Sequence, residues 1–369
     1  VNSSQAVWRV GWRLAVCAVL LAWIFHSIFL HEGQLAWQAS GQLWHQLPRR
    51  QQWRVAWTEG PAGLWRTLTL IHPSAFAGSL VFMGLTIVLG VFRWRIVMRV
   101  QGLELPLSRA LEISLVAHFF NSFLLGSTGG DLLKAYYAAR ETHHKKTEAV
   151  VTVIVDRLIG LLAMLLFAWA MILLNRDLIF AHGRLGALAW LVLAMLLGCA
   201  GVIALAFWGG LSRPLPRARA WLRRLPKGEL LERCVDASRA FGRRPGFLLE
   251  AFALSMAVNT ACVLQVFTLA RGLGLPVQPL DVFVIVPIVV CISALPITPS
   301  GLGLRENLYV LLFAVPAIGV NATQALSLSL LAYAGSLLWS LAGGVVYVRL
   351  KEARHLEQVT RPTANGTEG

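Results

Sequence analysis

Six apolar runs, near residues 12–30, 75–97, 150–174, 185–209, 247–270 and 324–348, constrain this chain more than any other feature. An α-helix rises about 1.5 Å per residue, so about twenty residues cross a hydrocarbon core about 30 Å thick. Stretches such as Leu158 to Leu174 and Leu185 to Phe207 offer almost no polar face for water to cover. The whole chain is 57% hydrophobic and 14% charged, whereas a soluble domain is about 45–50% apolar and about 25% charged. The expected fold is therefore all-α, a polytopic integral membrane helix bundle with about six full spans. Arg9 and Arg13 precede the first run and no small-residue cleavage site follows it, so this run reads as an uncleaved span.

The net charge of +15 raises the question of nucleic acid. The basic residues instead crowd beside apolar runs: Arg93, Arg95, Arg99 and Arg109 follow one, and ten more lie between Arg213 and Arg244. That placement follows the rule by which Lys and Arg near membrane ends stay in the cytoplasm. No interleaving of aromatic and basic residues or zinc-type spacing accompanies the charge, so no nucleic-acid partner is expected. The basic segment 211–246 reads as cytoplasmic, as do both termini, in a multi-pass protein of the cell (inner, cytoplasmic) membrane.

Three further apolar segments are short or broken. The first, 110–126, carries His118 and Asn121 and ends in Gly126-Ser127-Thr128-Gly129-Gly130; the other two, 281–297 and 305–319, flank Pro296-Ile297-Thr298-Pro299-Ser300-Gly301-Leu302-Gly303. Lys134, Arg140, Lys145 and Lys146 belong on the same side as the Arg93–Arg109 stretch, which requires 110–126 to dip into the membrane and return. Irregular backbone at that depth is tolerated only where protein buries it or a wet cavity adjoins it. Two interrupted segments at corresponding places in two halves are compatible with an inverted repeat.

The residues able to carry chemistry gather at these interruptions. Asn121, Gly129, Gly130, Asp131 and Lys134 form the first group, with Thr128 or Asp131 placed to cap the next helix and free N–H groups there suited to an anion. Asp156 and Arg157, with Gly160, stand inside an apolar run, where each charge costs about 2.5–3.5 kcal/mol unless a cavity or partner receives it. Adjacent helix residues diverge by about 100°, so each needs a partner elsewhere. Ser300, Gly301, Gly303, Arg305 and Glu306 form the third group, with Arg305 and Glu306 expected to point apart.

Other features read as ordinary. Four of the five cysteines lie in apolar runs and none forms a C-x-x-C pair, which suits inert thiols. His143 and His144 adjoin Lys145 and Lys146, whose charge opposes a metal, so no metal or other cofactor is expected. Trp37, Trp44, Trp53, Trp57 and Trp65 in the first loop favour the headgroup layer and suggest a surface-lying anchor. The polar stretch 356–369 reads as a disordered tail after a membrane domain covering 1–355.

Four landmarks, in this order, make the chain resemble the lysylphosphatidylglycerol synthase transmembrane family, also called the flippase-like or UPF0104 family. They are Arg93-Trp94-Arg95; Asn121 with Gly129-Gly130-Asp131; Asp156-Arg157-x-x-Gly160; and Pro299-Ser300-Gly301-Leu302-Gly303-Leu304-Arg305-Glu306. The resemblance implies a membrane core that moves charged lipids between leaflets. Relatives are sometimes fused to a soluble aminoacyltransferase or glycosyltransferase, and no such domain follows the last run here. Lys134 stands where many relatives have Arg, and Gly126-Ser127-Thr128 where Pro-Gly is frequent, which leaves the substrate open.

The expected function is translocation of a charged-headgroup phospholipid or a polyprenyl-phosphate-linked lipid. Arg157 and Arg305 would hold phosphate, and Asp131 and Glu306 would balance them. The partners are membrane lipids with anionic or phosphate-bearing headgroups, and a homo-oligomer or a separate lipid-modifying enzyme would be a protein partner. The alternative is an intramembrane enzyme, or an accessory subunit of one, acting on lipids or lipid-linked sugars.

Overall fold

In a computed structural model the described residues are 47–123, 129–142, 145–181, 183–207, 241–242, 246–295, 298, 301–315 and 318–360, with scattered positions between 19 and 44. Gly126, Ser127, Thr128, His143, His144, Pro296, Pro299, Ser300, nearly all of segment 211–246 and residues 361–369 lie outside them. Eleven helices follow in order: α1 Arg49–Thr69, α2 Pro73–Val100, α3 Leu107–Phe123, α4 Gly129–Glu141, α5 Lys146–Leu174, α6 Arg176–Ala181, α7 Gly183–Phe207, α8 Gly246–Gly272, α9 Pro279–Ser293, α10 Leu304–Phe313 and α11 Ala322–Thr360. No strand occurs among the described residues.

Five of these helices, α2, α5, α7, α8 and α11, are long and apolar enough to cross a membrane. They match five of the six expected spans, and the run at 12–30 lies mostly outside the described residues. Each buries less than half of its most apolar window. Val81, Leu197, Leu249 and Val345 face outward, a surface that lipid covers and water would not. The chain is thus a multi-pass helical membrane protein. The backbone of α11 continues to Thr360, past the start of the expected tail at 356.

The helix ends follow local chemistry. Pro73 and Pro279 open α2 and α9, where a missing N–H costs nothing. Asp281 reaches back to accept from the Gln278 N–H at 3.0 Å. His72 N–H donates to the Gly272 carbonyl at 3.1 Å, joining the start of α2 to the end of α8. These two helices therefore run antiparallel.

Two helical hairpins sit within this frame. In the first, α3 leads to α4, and Arg109 at its entry pairs with Glu141 at its exit, 2.6 Å apart. Lys145 Nζ also donates to the Gln101 carbonyl at 3.2 Å, so α2 ends and α5 begins at that same end of the bundle. Arg99, Arg109, Arg140, Lys145 and Lys146 all belong to it, as expected of a segment that enters and returns. The second hairpin, α9 and α10, starts just beyond Gly272, at the opposite end. The two hairpins enter from opposite ends, the arrangement an inverted repeat produces.

Three of the five tryptophans of the first loop, Trp53, Trp57 and Trp65, fall on α1 and are exposed. One side of two of these rings touches the preceding helical residues: His26 meets the Trp53 ring at 4.4 Å and Phe29 meets Trp57 at 5.1 Å. Phe29, Ala56, Leu64 and Leu326 form a small core that ties this layer to α11.

Candidate functional site

The two helices of the first hairpin approach closely at Gly130, the second residue of α4. Asn121, one residue pair before the end of α3, accepts the Gly130 N–H at 2.9 Å and so satisfies a free donor at the start of α4. A Cβ at position 130 would collide with the Ala117 carbonyl and with Asn121, which is why this contact between α3 and α4 takes glycine. Asp131 lies in the first turn of α4. Its carboxylate faces Arg157 Nη1 at 2.6 Å.

Asp156 points a different way, as the helical 100° offset requires. Arg93 Nε donates to its Oδ1 at 2.8 Å, and Lys134 Nζ stands 3.6 Å from its Oδ2. Arg93 also donates to Ser255 Oγ at 3.2 Å. Lys134 lies over the Trp94 ring at 4.2 Å, and Trp94 donates from Nε1 to Thr152 Oγ1 at 3.3 Å. α2, α4, α5 and α8 thereby meet on one charged centre.

Arg93 departs from the expectation that it lies with the cytoplasmic basic residues. It stands seven positions inside α2, and its side chain is turned inward against Asp156. Counted from the shared end, Arg93 lies about 10 Å along α2 and Arg157 about 16 Å along α5, on helices about 42–44 Å long. Gly160 makes room for Arg93, since a Cβ there would come within 2.7 Å of Arg93 Nη1.

The second hairpin closes on itself. Gly303 has φ 79°, a left-handed backbone that glycine adopts freely, and its N–H donates to Glu306 Oε2 at 2.6 Å. Gly301 is left-handed too, with φ 71°. Glu306 is fully buried, and its other oxygen accepts from Arg305 Nη2. Arg305 and Glu306 were expected to point apart. The long Arg305 side chain instead folds back, because a fully buried carboxylate needs a cation within reach. Arg305 also stacks over the Tyr333 ring at 4.4 Å.

Two adjoining cavities unite these elements. One, about 360 Å³, is lined by Arg93, Asp131, Lys134, Asp156, Arg157 and Asn259 among others. The second, about 320 Å³, is lined by His118, Asn121, Arg157, Ser293, Arg305 and Ser336 among others. Arg157 and Ala294 border both, so α5 and the end of α9 form the wall between them. Arg157 is also the most open of these charges, with its side chain 42% exposed. The arrangement can hold an anion against a fixed cation, with carboxylates near enough to keep the empty site stable.

A family model described as the lysylphosphatidylglycerol synthase TM region matches residues 52–344. The chain belongs to this family. It is also 27% identical, over 306 residues, to a "UPF0104 membrane protein" of Methanothermobacter thermautotrophicus, an alignment covering 74% of this chain and 83% of that one. Every residue of both cavities falls inside the family region.

Of the residues singled out in the sequence, Asp131, Lys134, Asp156 and Arg157 come together around the first cavity, and Asn121, Arg157 and Arg305 border the second. Gly129 and Gly130 open α4, and Gly301, Gly303 and Glu306 shape the turn that leads into α10. Ser300 lies outside the described residues. Sequence reasoning missed Arg93, Ser255, Asn259 and Tyr333. For Arg93 the available signal was a charge still within the apolar run 75–97. Asn259 gave a weaker one, a lone amide in the run 247–270. Among the described residues no group of three or more His, Cys, Asp or Glu is placed to hold a metal ion.

Proposed function

We propose that the protein is a lipid translocase, moving a charged-headgroup phospholipid or a polyprenyl-phosphate-linked lipid between leaflets. The observation that carries this reading is the position of Arg157. It stands about 16 Å inside α5 from the end where that helix begins, borders both cavities and is the least buried cation there. A headgroup passing from one cavity to the other meets the same guanidinium throughout, while its acyl or prenyl chains stay in lipid.

Alternating access would come from movement of the hairpin tips against the longer helices, with each hairpin opening toward its own side. Asp131 balances Arg157 while the site is empty and is the carboxylate freed when phosphate takes its place. Glu306 is engaged through both oxygens and holds the second turn. The end carrying Arg99, Arg109, Arg140 and Lys145 faces the cytoplasm of the inner membrane in this reading, with both chain termini on that side.

Reconstitution into liposomes with headgroup-labelled lipids tests the proposal. The parent protein should accelerate leaflet exchange, and Arg157→Ala should lose most of that acceleration. A parent that exchanges neither phospholipids nor prenyl phosphates would sink it.

A further inference from the structure

The second cavity contains a titratable side chain with no part in holding phosphate. His118 lines it from α3, together with Arg157 of α5, Ser293 of α9, Arg305 of α10 and Tyr333 and Ser336 of α11. Its ring is fixed from α11: Nε2 donates to the Ser336 carbonyl at 3.2 Å, and Ser340 Oγ donates to the His118 carbonyl at 3.4 Å. A carbonyl only accepts, so Nε2 carries the proton of the neutral ring and Nδ1 is left as an acceptor. Among the described side chains that line this cavity, His118 alone is of a type that changes charge between about pH 5 and 8.

The charges around it oppose a proton while the site is empty. Arg157 meets Asp131 of α4, Arg305 meets Glu306, and Arg93 of α2 and Lys134 of α4 share Asp156. Four cations thus stand against three carboxylates across the two cavities, and a proton on His118 would add to that excess. Arg109, on α3 itself, is taken up by Glu112 and Glu141 at the opening of the helix. An anion in the cavity cancels the excess, and the proton is then no longer opposed. Anion and proton favour each other's binding, as two linked ligands do.

We propose that His118 couples the protein to protons: one proton enters on its Nδ1 with each phosphate-bearing headgroup and leaves with it on the other side. The proton comes from water on the entry side and returns to water on the exit side, and no other bond changes. Protonation turns Nδ1 from acceptor to donor, which suits a neighbouring phosphate oxygen. The crossing rests on the translocase reading, whereas the joint binding of anion and proton does not. A monoanionic headgroup and its proton cross as a neutral pair, so a pH gradient drives lipid away from the acidic side.

Two measurements on the full chain test this. In detergent and weak buffer at about pH 7, binding of dioctanoyl phosphatidylglycerol should draw up to about one proton per lipid from solution, read by an indicator dye. In liposomes held at zero voltage by potassium and valinomycin, a gradient of one pH unit should enrich acyl-labelled phosphatidylglycerol in the leaflet facing the alkaline side. At one proton per lipid the enrichment reaches at most about tenfold. Protein-free liposomes give the background.

His118→Gln keeps an amide donor for the Ser336 carbonyl but takes no proton, and it should lose both signals. His118→Asn serves where His118→Gln does not fold, as judged by melting. Ser336→Ala leaves the carbonyl and the histidine in place and should retain proton uptake. A parent that fails to bind the lipid, or binds it without taking up protons, would overturn the proposal. Uptake unchanged in a folded His118 variant would do the same, and is the result expected were Asp131 the proton carrier. Leaflet exchange that ignores the gradient would remove the coupling and leave the translocase standing. Proton uptake on binding without any exchange would sink the translocase and keep the joint binding of proton and anion.

Discussion

Arg157 Nη1 and Asp131 Oδ2 stand 2.6 Å apart, tying the start of α4 to α5 about 16 Å along that helix. The pair is partly open, with side chains 42% and 27% exposed. Screening by water limits what it adds to stability, to about 0–1 kcal/mol for pairs of this kind. Arg157→Ala is therefore expected to change thermal stability little, while lowering leaflet exchange by about tenfold or more, as loss of a charged phosphate contact does. Melting and exchange measured on the same preparation check this, and equal loss of both would contradict it.

Asp156 behaves in the opposite way. Its carboxylate is 8% exposed and serves two cations, Arg93 at 2.8 Å and Lys134 at 3.6 Å. Removing one partner of a buried pair costs about 3–5 kcal/mol, because the other charge is left uncompensated. Asp156→Ala should lower the melting temperature sharply. Arg93→Met with Asp156→Leu and Lys134→Met, which removes all three charges, should recover much of that loss. Denaturation in detergent distinguishes the two outcomes.

Gly130→Ala is expected to push the start of α4 away from α3. The added methyl meets the Ala117 carbonyl, which is backbone and cannot swing aside, and displaces the Asn121 acceptor of the Gly130 N–H. Overpacking of this kind costs about 1–3 kcal/mol. Gly183→Ala, where a Cβ meets nothing within 4 Å, is the matched control and should be neutral in the same melting assay.

Sidedness can be read by single cysteines in a background lacking the native ones. Cysteines at Arg99, Arg140 and Lys145 should all label from one face of sealed vesicles, and cysteines at His72 and Arg271 from the other. Labelling of position 140 from the face that labels position 72 would refute the returning hairpin.

Much of this was legible before any coordinates. A run of about twenty apolar residues has one stable form in lipid, the helix, so α2, α5, α7, α8 and α11 follow from hydropathy alone. The returning hairpin followed from a conflict between basic segments that only re-entry resolves. Arg93 was less legible, since a basic residue near the end of an apolar run can face either water or a buried acid. Arg305 and Glu306 were read as diverging because backbone spacing fixes where Cβ atoms point and says nothing of where a long flexible side chain ends.

The sequence by itself determined that the chain is a membrane bundle of helices with two interruptions, because burial of apolar surface and backbone hydrogen bonding are local demands. Only the tertiary structure decided which charges share a partner. Asp156 belongs with Arg93 and Lys134, and Asp131 with Arg157, through contacts between helices far apart in the chain. Charge pairing is a matter of a few ångströms between separate elements, and no periodicity along one element encodes it.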